Sequence, residues 1–381
     1  MTPASPTEMP LPTRITGVGR YLPTRVLANR DLERMVETSD AWIVERSGIR
    51  ERRIADDHES SGTMGARAAE EALASAGLTG ADVDLVIAAT CTPDGMFPAT
   101  ATVIQKEIGA DRAGSFDVNA ACTGFLTSLS VGSQFIANGS AQRVLVVGAE
   151  TLSRIVDWTD RDTCVLFGDG AGAVVLESAN DDEPGGLEAP VLRSDGTLGE
   201  LLYARGPTSP RADSRAHSSG LHDSGTDGER SPPSISDPLE ALVSCIVMDG
   251  RNVFRHAVTA MNEAAQECLD RAGLTIDSIA LCIPHQANVR ILSAFARNLG
   301  LPDNRVYMNL ERYGNTSAAS IPIALAEACA ENRLAPGDRV LMVAFGAGLT
   351  WGATVVEWAG VRVPSALAPV PTMLAPITEI S

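Results

Sequence analysis

The chain repeats its own pattern at a distance of 196 residues. Segment 72–79 reads Ala-Leu-Ala-Ser-Ala-Gly-Leu-Thr, and segment 268–275 reads Cys-Leu-Asp-Arg-Ala-Gly-Leu-Thr. Segment 143–147, Arg-Val-Leu-Val-Val, matches segment 339–343, Arg-Val-Leu-Met-Val, at the same offset. Because two separate matches share one offset, the sequence predicts a duplicated chain whose two halves fold alike.

Each half alternates helical patterns with strand patterns. The predicted strands Leu85–Ala89, Val144–Val147 and Val340–Val343 are uninterrupted apolar runs. Such runs are typical of a sheet whose two faces are both covered by other elements. We therefore expect an α/β protein of packed layers with pseudo-two-fold symmetry.

Three segments fall outside the repeat. Residues 1–12 are predicted to be a loose leader. Residues 206–238 are rich in Ser, Pro, Gly, Asp and Arg, which predicts a long insert loop. Residues 360–381 are rich in Ala and Pro and are predicted to form an extended tail. The two halves are therefore placed at 13–205 and 239–359.

The charge and the apolar pattern exclude several classes of protein. The formal net charge of −18 argues against nucleic acid as a partner, and any anionic ligand requires a local cationic patch. No apolar run reaches the ~18 residues of a membrane span, and residues 1–13 do not resemble a signal peptide. The seven cysteines are scattered without zinc spacing, so we expect neither a disulfide nor a metal site. The chain is expected to be a reduced, cytoplasmic protein without a membrane partner.

Cys122 is the first candidate for chemistry. It follows an apolar run at 116–118 and precedes a helical pattern in which Phe125, Leu129 and Ile136 recur. Unpaired backbone N–H groups and the helix dipole at a first turn favour a thiolate, so we expect the pKa of Cys122 to lie below about 8.5. The alternative is a small buried apolar residue, since free cysteines are often found in cores.

His285 and Asn315 are the second and third candidates. His285 follows an apolar strand, where open α/β sheets place their chemistry, although a lone histidine is often structural. Asn315 lies in a small-residue turn before a helix and could be an N-cap. Adding the repeat offset to Cys122 gives position 318, so the Asn315 turn is approximately the symmetry mate of the Cys122 turn.

Several motifs resemble those of the β-ketoacyl-acyl carrier protein synthase III family, condensing enzymes of the thiolase superfamily. The resemblance runs from about Ile15 to Trp358 except for the 206–238 segment. It rests on Thr38–Val44, Gly48–Arg52, Ala120–Phe125, Phe167–Gly172, Pro284–Asn288, Gly314–Ser320 and Ala344–Gly352. It implies a homodimer of thiolase fold, in which two α/β halves form five layers in the order αβαβα.

The resemblance also implies roles for individual residues. A catalytic triad falls on Cys122, His285 and Asn315, and an oxyanion hole falls on the backbone N–H groups of Cys122 and Ala347. Contacts to CoA or to the carrier protein fall on Trp42, Arg46, Arg161, Arg251, Arg255 and Asn288. Phe97 is expected to reach the acyl pocket of the partner subunit. The substrates implied are acyl-CoA and malonyl-acyl carrier protein, with no metal and no other cofactor.

Three functions remain open from the sequence. The first is decarboxylative condensation, in which a malonyl thioester attacks an acyl-cysteine; the amide of Asn315 favours it, because an enolate gains from a second neutral donor. The second is acyl transfer to a hydroxyl or an amine of a natural product. The third is a non-catalytic carrier-binding protein. A biosynthetic thiolase is disfavoured, because residues 344–352 contain no second cysteine.

Overall fold

The structure is a computed structural model that describes residues 13–179, 185–206 and 245–361. The predicted leader at 1–12, the predicted insert at 206–238 and the predicted tail at 360–381 lie outside the described residues, apart from residues 206, 360 and 361. Within the described part, two sheets carry helices on their outer faces and share two helices between them.

The described residues of the first half form seven strands and six α-helices, besides short 3₁₀ turns. They are β1 (Thr13–Tyr21), β2 (Val26–Ala28), α1 (Asn29–Leu32), α2 (Asp40–Ser47), β3 (Glu51–Arg53), α3 (Ser61–Ala76), β4 (Leu85–Ala89), α4 (Thr100–Glu107), β5 (Gly114–Val118), α5 (Gly124–Ala137), β6 (Arg143–Thr151), α6 (Arg161–Cys164) and β7 (Asp169–Ser178).

The second half contains β8 (Gly186–Ser194), β9 (Leu202–Tyr203), β10 (Val247–Met248), α7 (Gly250–Ala272), β11 (Leu281–Pro284), α8 (Val289–Leu299), α9 (Leu310–Tyr313), α10 (Ser320–Ala330), β12 (Arg339–Gly346) and β13 (Thr350–Glu357).

The two sheets have matching topologies. The first has the order β1-β7-β6-β4-β5, with β6, β4 and β5 parallel and β7 antiparallel to its neighbours. The second has the order β8-β13-β12-β11, with β11 and β12 parallel and β13 antiparallel to its neighbours. Strands β1, β7, β6 and β4 therefore correspond to β8, β13, β12 and β11, which confirms the duplication that the repeat predicts.

One predicted boundary differs from the structure. Strand β8 lies within the predicted first half, 13–205, but it pairs with β13 in the second sheet. The physical reason is that β8 is the counterpart of β1, so the second structural unit begins before the 206–238 segment. The sequence match was too weak in this strand to show where the second unit starts.

Helices α5 and α10 form the middle layer. Their buried side chains, such as Leu129 and Leu325, join one cluster with Ile87 of the first sheet and with Ile283 and Met342 of the second. Both sheets therefore bury one face against the same two helices, and the cores of the two halves are continuous.

The outer layers cover the opposite faces of the sheets. Helices α3 and α4 pack on the first sheet, where Met64 and Ile104 meet Val86. Helices α7 and α8 pack on the second sheet, in a cluster that includes Phe295 and Leu341. The five layers follow the order αβαβα, as the resemblance implies. Among the described helices, none is long and apolar enough to cross a bilayer.

A buried glutamate ties α10 to its surroundings. Glu327 accepts hydrogen bonds from Asn309 Nδ2 at 2.9 Å and from the Tyr313 hydroxyl at 2.6 Å, and it pairs with Arg20 of β1. The backbone N–H of Asn309 donates to Gln286 Oε1 at 3.0 Å. This network fixes the end of β11 relative to the middle layer, because Gln286 follows that strand directly.

The close packing of α3 on β1 depends on glycine. A Cβ at Gly19 would lie 2.2 Å from the carbonyl oxygen of Ala68 and 2.4 Å from the backbone nitrogen of Ala72. We predict that Gly19→Ala lowers the free energy of unfolding by about 1–3 kcal/mol, because backbone atoms must move apart. Urea unfolding of the purified variant measures this loss.

The matched control is Gly114→Ala in β5 of the same sheet. A Cβ there would meet Leu85 Cδ1 at 3.5 Å, which is an ordinary contact. We expect this variant to change the free energy of unfolding by less than about 1 kcal/mol. Equal losses in the two variants would contradict the packing argument.

Candidate active site

Cys122 lies in a short 3₁₀ turn, Ala121–Thr123, that leads into α5. The turn is held by Thr123, whose hydroxyl contacts the Ala120 carbonyl oxygen at 2.7 Å and the Thr350 hydroxyl at 2.9 Å. A Cβ at Gly346 would lie 2.8 Å from the Cys122 backbone nitrogen, so the loop after β12 presses directly on the turn. Cys122 lines a cavity of about 410 Å³ whose wall also includes Ala347.

The symmetry mate of this turn is the 3₁₀ turn Ser317–Ala319 before α10. Ala121 and Ser317 are 196 residues apart and share an unusual left-handed backbone, with φ of 45° and 47°. In each case the backbone N–H two residues after an asparagine donates to that asparagine's Oδ1, at 3.3 Å for Asn119 and 2.8 Å for Asn315. The duplication therefore extends to the local geometry of both turns.

The two turns meet in the middle of the molecule. A Cβ at Gly124 would lie 3.5 Å from Ala318 Cβ, and a Cβ at Gly148 would lie 2.4 Å from the Ala318 carbonyl oxygen. The first cavity is lined both by Cys122 and by Ser317. The structure thus brings together the starts of α5 and α10, as the repeat predicts.

The pKa of Cys122 differs from the sequence expectation. Burial raises the pKa of the thiol to about 12, while a hydrogen bond from Ser317 acts in the opposite direction and the nearby Glu150 adds to the rise. The expectation of a lowered pKa is therefore wrong for the free protein. Because the regular helix begins only at Gly124, the helix terminus does not outweigh the loss of water around the sulfur.

His285 lies directly after β11 and is 2% exposed. Its Nδ1 lies 2.7 Å from Ser320 Oγ, and Ser320 Oγ also receives a longer contact of 3.4 Å from the backbone N–H of Gln286. The serine oxygen accepts from the backbone, so its own proton is available for Nδ1. We infer that the proton of the neutral ring is on Nε2, because Nδ1 is used as an acceptor.

Burial also sets the charge of this histidine. It lowers the pKa of His285 from 6.5 to about 4, so the ring is neutral at physiological pH. A neutral ring with a proton on Nε2 is a hydrogen-bond donor rather than a cation.

Asn315 is 8% exposed and is held on both sides. Its backbone N–H donates to the Leu166 carbonyl oxygen at 2.8 Å, and its own carbonyl oxygen accepts from the Gly168 N–H at 3.0 Å. Because Oδ1 is already bonded to the Ser317 N–H, the Nδ2 group is the part of the side chain that can donate to a ligand. The N-cap alternative is not what is observed, since α10 begins five residues later.

A second cavity, of about 760 Å³, gathers most of the predicted CoA contacts. Its wall includes Trp42, Arg46, Arg251, Arg255 and Asn288. The guanidinium groups of Arg46 and Arg161 lie 4.6 Å and 4.7 Å from the Trp42 ring centroid. Despite the strongly acidic chain, the structure therefore concentrates cations and one large aromatic ring at this place.

In the wall of this cavity, the side chain of Asn288 makes two hydrogen bonds to other parts of the protein. Its Oδ1 accepts from the Arg290 N–H at 2.8 Å, which caps α8, and its Nδ2 donates to the Arg46 carbonyl oxygen at 3.0 Å. These two bonds link α8 to α2. The sequence did not show this linkage, because the partners are 242 residues apart.

Phe97 stands apart from both cavities. It is 84% exposed, and its neighbour Met96 is 66% exposed. Two adjacent large apolar side chains that are exposed to solvent are unusual on the surface of a monomer.

Sequence reasoning missed four polar residues at the first cavity and around it. They are Cys91, Glu150, Ser317 and Ser320. The two serines lie inside the Gly314–Ser320 motif, whose small residues were interpreted only as a turn. The signal for Glu150 in the sequence was a carboxylate placed directly after the largely apolar run 143–149.

Comparison with known proteins identifies the family. Models of the 3-oxoacyl-[acyl-carrier-protein] synthase III domain and of its C-terminal domain match residues 116–196 and 269–358. The β-ketoacyl-[acyl-carrier-protein] synthase III of Roseiflexus castenholzii is 48% identical over 344 residues, which cover 90% of this chain and 97% of the relative. The chain belongs to the β-ketoacyl-[acyl-carrier-protein] synthase III family.

Solved structures of this family agree with the fold. The 3-oxoacyl-[acyl-carrier-protein] synthase III of Aquifex aeolicus is 44% identical, with a TM-score of 0.79 over 91% of this chain and 100% of that chain. The priming β-ketosynthase of the R1128 polyketide pathway is 34% identical, with a TM-score of 0.81 over 95% and 100% of the two chains. The family and the thiolase fold expected from the motifs are thereby confirmed.

The protonation state of His285 in this β-ketoacyl synthase III chain can be measured directly. We predict that its ring stays neutral from pH 8 down to about pH 5, because burial lowers its pKa to about 4. Histidine-labelled protein observed by NMR shows the charge and the protonated nitrogen. His285→Gln assigns the signal, and Ser320→Ala should weaken the preference for Nε2–H. A ring that titrates near pH 6.5 would refute this description.

The lowered pKa of His285 also makes the stability of the protein depend on pH. Unfolded histidine gains a proton below about pH 6.5, whereas folded His285 gains one only near pH 4. The unfolded state therefore binds more protons between these values, and stability falls as the pH drops through them. His285→Gln should show a smaller loss of stability than the parent chain over this range.

Proposed function

We propose that this chain transfers an acyl group from acyl-CoA to Cys122 and condenses it with malonyl-acyl carrier protein. The products are a β-ketoacyl thioester, CO2 and CoA, and the reaction is a priming step of fatty-acid or polyketide synthesis. The observation that carries the proposal is the meeting of the Cys122 turn with the Asn315 turn in a chain of this family.

In the first step, the Cys122 sulfur attacks the thioester carbonyl of acyl-CoA. Negative charge develops on the carbonyl oxygen, and the backbone N–H groups of Cys122 and Ala347 are proposed as its donors. The position of Ala347 in the wall of the same cavity supports this assignment. The carbon–sulfur bond of CoA then breaks and leaves an acyl-cysteine.

In the second step, the malonyl thioester loses CO2 and its carbonyl oxygen becomes an enolate oxygen. We assign His285 Nε2–H and Asn315 Nδ2 as the donors to this oxygen. Both groups are neutral donors whose other polar atom is already occupied, by Ser320 Oγ and by the Ser317 N–H. Such fixed donors need no reorganisation when charge appears, so they lower the barrier to decarboxylation.

The second cavity is proposed as the CoA and carrier site. The Trp42 ring offers a face for an adenine, and Arg46 and Arg161 offer cations for phosphates. Arg251 and Arg255 lie at the start of α7 in the same wall and are assigned to the pantetheine arm or to an acidic carrier protein.

The assembly and the setting are also proposed. We assign the exposed Phe97 and Met96 to the interface of a homodimer, with Phe97 reaching the partner's acyl pocket. We place the protein in the cytoplasm. The proposed steps use only groups of this chain and its substrates, so the proposal includes no resident cofactor.

Replacement of the nucleophile is the first test. We predict that incubation with acyl-CoA adds the mass of one acyl group to the parent chain and none to Cys122→Ala. The control is Cys245→Ala, which removes an exposed thiol and should leave acylation unchanged. Intact-mass spectrometry measures both. Acyl addition to Cys122→Ala would reject this nucleophile.

Separation of the two steps is the second test. We predict that Asn315→Ala slows condensation by about 10²–10³-fold, since it removes one donor to the enolate, but slows acylation of Cys122 by less than about tenfold. Release of CO2 from malonyl-acyl carrier protein measures condensation, and the acyl-enzyme mass over time measures acylation. Equal losses would contradict the division of roles. Acylation of the parent chain without CO2 release would favour acyl transfer to another acceptor.

A further inference from the structure

Glu150 is a buried carboxylate that the steps above do not use. It is the second-to-last residue of β6, and it is 0% exposed. A carboxylate at such a place is costly unless several hydrogen bonds compensate for the lost water. Its surroundings therefore need an explanation beyond the folding of an apolar strand.

The side chain of Glu150 is surrounded by hydrogen-bond donors. Its carboxylate accepts from the Thr92 hydroxyl at 2.6 Å and from the backbone N–H groups of Cys91 and Thr92 at 3.1 Å and 3.2 Å. The Cys91 thiol and the Thr90 hydroxyl both lie 3.3 Å away. Since backbone N–H groups can only donate, this cage is built for the ionised form. Burial at the same time raises the pKa of Glu150, which makes the carboxylate a stronger base.

Ser317 connects this carboxylate to the nucleophile. A hydrogen bond from its hydroxyl lowers the pKa of both the Cys122 thiol and the Glu150 carboxyl. Ser317 lines the same cavity as Cys122 and Cys91, and its Oγ is 3.8 Å from Cys91 Sγ. The residue is held in place by the bond from its N–H to Asn315 Oδ1 at 2.8 Å. The titratable groups that face Glu150 are the thiols of Cys91, from the loop after β4, and of Cys122.

We propose that Glu150 accepts the proton of Cys122 through the Ser317 hydroxyl and returns it when the thiolate is released. Glu150 is thus a positioning residue for the proton, and Ser317 is the group that touches the reacting sulfur. The proposal deepens the proposed function and rests on it for the identity of the acyl donor.

The protons balance over one turnover. In acylation, Cys122 S–H passes its proton to Ser317 Oγ while the Ser317 O–H proton moves to Glu150. The new S–C bond forms, the bond to CoA breaks, and the CoA thiolate takes a proton from solvent. In condensation, the carbon left by the departing CO2 attacks the acyl group and the Cys122 thiolate leaves. The stored proton then returns from Glu150 through Ser317 to the sulfur.

The pH dependence of Cys122 alkylation tests the relay without any acyl-CoA. When Glu150 is present, the proton moves within the site, so the rate with iodoacetamide should level off below pH 9. In Glu150→Gln and in Ser317→Ala the proton must leave to solvent, so the rate should rise about tenfold per pH unit through pH 9. At pH 7.5 both variants should react at least about tenfold more slowly than the parent chain. Peptide mass spectrometry confines the measurement to Cys122.

A structural or purely electrostatic role gives the opposite result. The charge of Glu150 raises the pKa of Cys122, so its removal alone would lower that pKa. Alkylation would then be faster at each pH below the pKa, with the same rise per pH unit as in the parent chain. That outcome in Glu150→Gln overturns the proposal. Ser317→Ala leaves Glu150 unchanged, so this variant tests the relay if Glu150→Gln does not fold. The double variant should be no slower than either single variant, because both act in one path.

Asp169→Asn is the matched control. Asp169 is also 0% exposed and accepts from Ser153 Oγ at 2.6 Å and from the Ala55 N–H at 2.7 Å. Its alkylation profile should superimpose on that of the parent chain. Failure of the parent chain to accept an acyl group from acyl-CoA would reject the proposed function, whereas unchanged alkylation profiles in both relay variants would reject only the relay.

Discussion

The contact between the starts of α5 and α10 is the constraint on which the rest of the structure depends. Two helices share one layer between two sheets, and their starts are so close that a Cβ at Gly124 would lie 3.5 Å from Ala318 Cβ. Strands β6 and β4 pack against the same place. Gly148 leaves room for the Ala318 carbonyl oxygen, and a Cβ at Gly124 would already lie 3.2 Å from Ala89 Cβ. Small residues at this crossing are therefore a packing requirement, and the polar groups of the site are attached to it.

The two halves keep the same backbone but differ in side chains. The left-handed residues Ala121 and Ser317 correspond, and so do Asn119 and Asn315. One turn then carries a thiol at position 122, where the other carries only Ala318. Duplication thus supplies two similar turns, and the thiol of Cys122 is a side chain in which they differ.

Burial controls the charges of this site more than any single ion pair does. It raises the pKa of Cys122 to about 12 and lowers that of His285 to about 4, so both groups are neutral before a ligand arrives. Removal from water costs less free energy for a neutral group than for a charged one. Cations gather instead at the second cavity, around the ring of Trp42.

The sequence by itself determined the duplication and the layered α/β class, because both depend on local pattern or on one offset along the chain. It also predicted Cys122, His285 and Asn315 as the residues of the site. It also indicated the family through motifs that are contiguous in the chain. Only the tertiary structure decided the burial of the thiol, the burial and hydrogen-bond partner of His285, and the place of β8. These depend on water exclusion and on partners distant in sequence, such as Glu150 for Cys122 and Ser320 for His285. Local pattern carries no information about such partners, since folding alone brings them together.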